Sequence, residues 1–168
     1  MNARMSGLLG GVEPRAREED VPDQFRAVVH GGWTTDGEAQ LLTVLHSGYS
    51  GGGRQEFEDV IHYEATVNGR GMMDYDLPPS GPERIEALLR RSISYACSAL
   101  RAVPDGQKWP ILGYVSVSEG GLEDNILTAH VTFCSERPDL PRHVGEMASY
   151  AHEALLEISQ EDAAAILE

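Results

Sequence analysis

The residues best suited to do chemistry are His62, Glu64 and His130. In the stretch FEDVIHYEATV, Phe57, Ile61, Tyr63, Ala65 and Val67 alternate with His62, Glu64 and Thr66. In ILTAHVTFC, Leu127, Ala129, Val131 and Phe133 alternate with Thr128, His130 and Thr132. Period-two alternation is the mark of a half-buried strand, so both polar sets are expected on a sheet face. Two imidazoles and a carboxylate suit ligand capture, proton transfer or an open metal centre. The spacing does not specify a metal. Neither helical stretch holds an H-x-x-x-H pair, His143 and His152 are nine apart, and there is no Cys-x-x-Cys. His62, Glu64, Thr66, Thr128, His130 and Thr132 are therefore read as a ligand- or partner-facing surface, with no metal, cofactor or catalytic residue assigned.

Two further fragments imitate a hydrolase. His30-Gly31-Gly32-Trp33 resembles an oxyanion-hole loop, and Gly48-Tyr49-Ser50-Gly51-Gly52 fits the G-x-S-x-G of a nucleophile elbow. An elbow serine must sit on a strand-to-helix turn, whereas Gly51-Gly52-Gly53 is expected to lead into another strand. The spacing also leaves no room for an intervening sheet. The loop Ser47–Arg54 lacks the Lys-Ser/Thr ending of a phosphate cradle. Neither fragment is assigned a role.

The element that must organise these residues is a helix over Ser80–Val103. Ile85, Leu88, Leu89, Ser92, Ala96, Ala99, Leu100 and Val103 fall on one stripe at helical period, with Arg84, Arg90, Arg91, Ser94, Ser98 and Arg101 opposite. Ser80, Pro82 and Glu83 signal its start. Before it, Phe25–Trp33 and Glu38–His46 read as a hairpin closed by Thr34-Thr35-Asp36-Gly37. Phe57–Val67 and a return strand through Met73, Tyr75 and Leu77 read as a second, joined by Asn68-Gly69. After it, Ile111–Ser118 and Ile126–Cys134 form a third across the polar loop Glu119–Asn125. A second helix is read along Val144, Met147, Ala148, Ala151, Ala154, Leu155 and Ile158. The expected fold is α+β: one antiparallel sheet of five to six strands, both helices on one face and the other face open.

The chain has 168 residues, of which 41% are hydrophobic. Residues 1–24 are expected to be a flexible tail and residues 25–168 a single α+β domain. The first twenty residues show no basic-then-apolar leader, and no stretch is long enough to span a bilayer. Net charge is −14, from 27 acidic and 13 basic residues. Such a surplus argues against nucleic acid and anionic membranes, and suits solubility or a basic partner. Cys97 and Cys134 are too few for a disulfide framework and read as reduced thiols. Lys108 is the only lysine, a bias expected of a GC-rich bacterial genome.

In element order the chain is similar to small acidic secretion chaperones, although those begin with a helix that is not read here. The likeness implies a protein-binding role. The expectation is a bacterial cytoplasmic interaction protein, chaperone-, adaptor- or inhibitor-like rather than an enzyme. It would act on a protein or peptide partner, a basic one or a second copy of itself. The alternative is a small-molecule binder or small enzyme using the face around His62, Glu64 and His130. A concave pocket with converging polar groups would favour the alternative, and a flat face the interaction.

Overall fold

The computed structural model describes residues 1–119 and 126–168. In chain order the elements are α1 (Ala3–Leu8), α2 (Asp23–Gly31), β1 (Trp33–Asp36), β2 (Ala39–Leu42), α3 (Thr43–Ser47) and α4 (Val60–Asn68). There follow β3 (Arg70–Gly71), α5 (Pro82–Arg101), β4 (Ile111–Glu119), β5 (Leu127–Ser135), β6 (Glu153–Ile158) and α6 (Gln160–Ile166). The fold is α+β and its strand pairs are antiparallel, but there is no single sheet of five to six strands among the described residues. Four strands pair in the order β3-β5-β4-β6, and β1-β2 is a separate hairpin. No helix among them is long and apolar enough to cross a membrane.

Helix α5 forms where its stripe requires it, with Pro82 in the first turn. Its cap is Gly81, at φ 99°, a conformation in which a side chain would be strained. From Ser92 to Leu100 every residue is buried. That is more burial than one stripe provides, because α2 and α6 pack on α5 as well. Val115, Val117, Ala129, Val131, Phe133, Leu156 and Ile158 share its core. The β4–β5 hairpin is as expected, with Ser116 opposite His130 and Tyr114 opposite Thr132. Most of the loop read between these strands lies outside the described residues.

Four assignments are corrected. The stretch Phe25–Trp33 is helix α2 for most of its length; Phe25 and Val28, three apart, face the core, and Asp23 favours the helix start. The stretch Phe57–Val67 is not a strand. Asp59 caps α4 by accepting from the His62 N–H at 2.8 Å, and the helix then runs to Asn68. Its alternating apolar residues were real, but Val60, Glu64 and Asn68 are buried too. A helix buried nearly all round has no periodicity to read. Asn68-Gly69 is accordingly a helix end, and the return strand shrinks to Arg70–Gly71 against Val131 and His130.

The second helix, read along Val144–Ile158, is replaced by strand β6, which pairs with β4 from Gly113↔Ile158 to Ser118↔Glu153. The ladder needs an edge partner, and this outweighs the helical preference of an Ala- and Leu-rich segment. The last helix, α6, starts at a capping box between Ser159 and Asp162.

The fourth correction bears on function. The second sheet face is not open, because α4 and the segment 136–152 cover it. Leu112, Tyr114, Cys134 and Leu155 on the sheet pack with Val60, Ile61, Tyr63 and Val67 of α4 and with Val144. Residues 1–24, set apart from sequence as a tail, lie against the rest of the chain. Met5 is fully buried, Ala16 bridges to Leu167, and the Arg17 N–H donates to Ser94 Oγ at 3.0 Å.

Candidate functional site

Helix α4 is held over the sheet by its own polar side chains. Glu64, fully buried, accepts from the Gln40 N–H at 2.8 Å and from the Ser135 N–H at 2.6 Å and hydroxyl at 2.7 Å. Arg137 Nη2 donates to Glu64 at 3.2 Å, while its other nitrogens reach Ser135 Oγ and Glu38. One turn on, Asn68 accepts from the Leu42 N–H and donates to the carbonyls of Gln40 and Phe133. The two side chains satisfy backbone groups of β2 and β5 that cannot pair with each other. Glu64 is therefore a core residue whose two oxygens are both engaged by the protein itself.

Clamped this way, α4 leaves a concave space of about 520 Å³ between itself, the sheet and the segment 136–152. His62 and Thr66 project into it from α4, Tyr114 and Ser116 from β4, and His130 and Thr132 from β5. His143 and Tyr150 close it from the covering segment, and Glu153 and Leu155 from β6. Tyr114 and His143 meet edge to face, with ring centroids 5.3 Å apart. The Thr132 hydroxyl donates to the Ala65 carbonyl at 2.6 Å and fastens α4 to the floor.

Gly69 is a point of close approach between α4 and β5. A Cβ there would stand 2.7 Å from the Ala65 carbonyl oxygen and 3.0 Å from His130 Cε1. Glycine is required here for close approach, since its φ of −76° is open to any residue.

The far wall depends on the N-terminal segment. Asn2 Oδ1 accepts from the Met5 and Leu155 N–H groups, and Asn2 Nδ2 donates to the carbonyls of Tyr150 and Glu153. One side chain thus caps α1 and ties down three of the residues that close the cavity, Tyr150, Glu153 and Leu155.

The site is electrostatically quiet. Solvent reaches His130 and His143 through the mouth, but the protein around them desolvates both rings and lowers both pKa values. For His130 the Glu153 carboxylate opposes that shift and Arg70 adds to it. His62 lies 3.7 Å from Asp59 and 3.9 Å from Glu58, both salt-bridge distances. Burial pushes the Tyr114 hydroxyl and the Cys134 thiol well above their ordinary values, so neither is an activated nucleophile at neutral pH. Among the described residues no three His, Cys, Asp or Glu side chains are grouped to hold a metal ion.

Of the six residues read from sequence, four line the cavity: His62, Thr66, His130 and Thr132. Glu64 turns into the core. Thr128 lies opposite Ser118 on the same strand pair and does not line the space. His62 and Thr66 arrive by a different geometry from the expected one, since four residues apart on a helix share a face. Tyr114 is a candidate for this sheet face from sequence as well, whereas Ser116, His143, Tyr150 and Glu153 were missed. The alternation along Ile111–Ser118 that carries Tyr114 would have placed Ser116 beside His130, while His143 and Tyr150 lie in irregular chain that carries no periodic signal. The hydrolase-like fragments remain apart from this site. Ser50 is exposed just after α3, and Gly31-Gly32 ends α2. Comparison with protein-family models, with curated proteins and with solved structures finds no match for this chain.

Proposed function

We propose that this protein binds a small polar molecule in the cavity between α4 and the four-stranded sheet. One observation carries the reading: segments far apart in sequence converge three imidazoles, a carboxylate and several hydroxyls on one concave space of about 520 Å³. That size suits a small ligand, and groups of this kind fix orientation by hydrogen bonding. The clamps of Glu64, Asn68 and Asn2 hold the walls in place beforehand, which lowers the entropy cost of binding. The test is a fragment library screened by protein-observed NMR. Hits are expected to move the amides of Gly69, Ser116, His130 and Glu153 together. Hits scattered elsewhere, with those four still, would remove the reading.

A second reading is interaction with a protein partner, and Tyr75 favours it. This side chain is 82% exposed, on a loop held rigid from α5. Arg84 donates to the Pro78 carbonyl at 3.0 Å and pairs with Asp74, and Arg91 donates to the Met73 carbonyl at 2.9 Å and to Asp76 at 2.8 Å. An aromatic presented in a fixed position is the usual anchor of an interface, and the surplus of carboxylates suits a basic partner. A photo-crosslinker at position 75 should trap one partner of defined mass, where the same group at Val12 traps none. Equal or absent trapping at both positions would count against it. Self-association is tested by light scattering across a salt series, where a monomer at every salt concentration excludes a second copy.

A further inference from the structure

The walls of the α4–sheet cavity select by charge. Among the described residues that line it, Glu153 is the only Asp or Glu and none is lysine or arginine. The guanidinium near His130, Arg70, is turned away and donates to the carbonyls of Val67 and Gly69. Arg142, next in sequence to His143, is paired with Glu136 and Glu157. The remaining polar groups are imidazoles and hydroxyls, and Glu58 and Asp59 stand beside His62 at the mouth. An unprotonated imidazole presents one bare nitrogen that accepts a hydrogen bond. An anion placed here would meet the Glu153 carboxylate and no lysine or arginine among the described lining residues, so its desolvation would be poorly matched. A cation would find a carboxylate, acceptor nitrogens and hydroxyl oxygens.

We infer that the cavity takes a small organic cation, an amine whose ammonium pairs with Glu153 and whose carbon skeleton lies toward Leu155 and Tyr150. The inference rests on reading this cavity as a ligand site. Partial desolvation lowers the pKa of His130 and His143, which favours neutral rings that accept hydrogen bonds over rings that compete with a positive charge.

Three matched probes test it on the full-length wild-type chain: benzylamine, benzyl alcohol and benzoate, each titrated while the Gly69 amide and His130 ring resonances are followed. Benzylamine is expected to move both, and to bind about tenfold or more tightly than either other probe, as a charge-assisted hydrogen bond implies. Glu153→Gln should remove that advantage and leave benzyl alcohol unchanged, with the rest of the spectrum preserved. Benzoate or benzyl alcohol binding there as tightly as benzylamine overturns the charge assignment while leaving the ligand site standing. Benzylamine failing to move the two resonances also overturns it, and whether the cavity binds anything is then decided by the fragment screen. The comparison of probes uses the wild-type chain, so it decides the matter even where Glu153→Gln does not fold.

Discussion

Glu64 Oε1 and Arg137 Nη2 lie 3.2 Å apart, with side-chain exposures of 0% and 3%. The pair joins α4 to the end of β5, and its oxygens and nitrogens are otherwise used on Gln40, Ser135 and Glu38. A buried pair of this kind is weak evidence of net stabilisation, but breaking it leaves an uncompensated charge. Glu64→Ala and Arg137→Ala should each cost about 3–5 kcal/mol, and the double variant much less than their sum. Chemical denaturation of the four proteins measures the coupling. Additive losses would show that the two side chains act independently.

Gly69→Ala tests the close approach of α4 and β5. The added methyl meets the Ala65 carbonyl and the His130 ring, so α4 or His130 must move. A destabilisation of about 1–3 kcal/mol is expected, with a displaced His130 ring resonance. An unchanged ring environment would mean that the contact relaxes elsewhere.

His130 and His143 set a pH dependence. Desolvation by the surrounding protein lowers both below the ordinary 6.5, although solvent reaches the rings. Between the folded and unfolded values the unfolded chain binds more protons, so stability rises with pH across that window. The contribution is complete above about pH 6.5, is lost as pH falls below it, and levels off beneath the folded values. Asp76 acts in a separate window: its hydrogen bond to Arg91 lowers its pKa, and that contribution is lost only below the ordinary 3.8. Denaturation midpoints should therefore fall between pH 7.5 and 5.5 in the wild type. The drop should shrink in the His130→Gln/His143→Gln variant. Equal drops in both proteins would place the dependence elsewhere.

Arg84 and Arg90 are six apart on α5 and should behave differently. Arg84 is 3% exposed, donates to the Leu127 carbonyl at 2.7 Å and pairs with Asp74. Arg90 is half exposed and meets Asp20 at 3.2 Å. Arg84→Ala should cost on the order of 2–4 kcal/mol, since it orphans part-buried carbonyls and the Asp74 carboxylate. Arg90→Ala should cost about 0.5 kcal/mol or less. Similar thermal shifts in the two variants would contradict the burial assigned to Arg84.

Asn2→Ala removes the link between the N-terminal segment and β6. Brief trypsin treatment should leave the bond after Arg4 intact in the wild type and cleave it in the variant, and the Tyr150 and Glu153 amides should lose hydrogen-exchange protection. Equal cleavage of both proteins would show that the segment is not held through Asn2.

The sequence alone determined those elements whose burial is one-sided. Helix α5 carries a stripe, a first-turn proline and a terminating Pro104-Asp105-Gly106, and it forms between residues 82 and 101. The β4–β5 hairpin alternates cleanly because each face meets a different layer, and so His130 and Thr132 were placed on the correct side. The turn Thr34–Gly37 likewise set the β1–β2 hairpin, though not what flanks it: Asp23–Gly31 is helix, and the strand read over Glu38–His46 ends at Leu42, where α3 begins. Tertiary structure decided everything that depends on partners distant in the chain. α4 is buried around most of its circumference, so strand and helix patterns coincide along Val60–Asn68, and only the Asp59 cap distinguishes them. β6 exists because β4 has a free edge, a condition invisible within its own six residues. Glu64 looked like a surface acid and is a core residue, because its partner Arg137 lies 73 positions away. The cavity itself follows from where α4 and the segment 136–152 come to rest on the sheet. Residue type and alternation could nominate His62, His130 and Tyr114, but only packing could bring His143, Tyr150 and Glu153 to the same space.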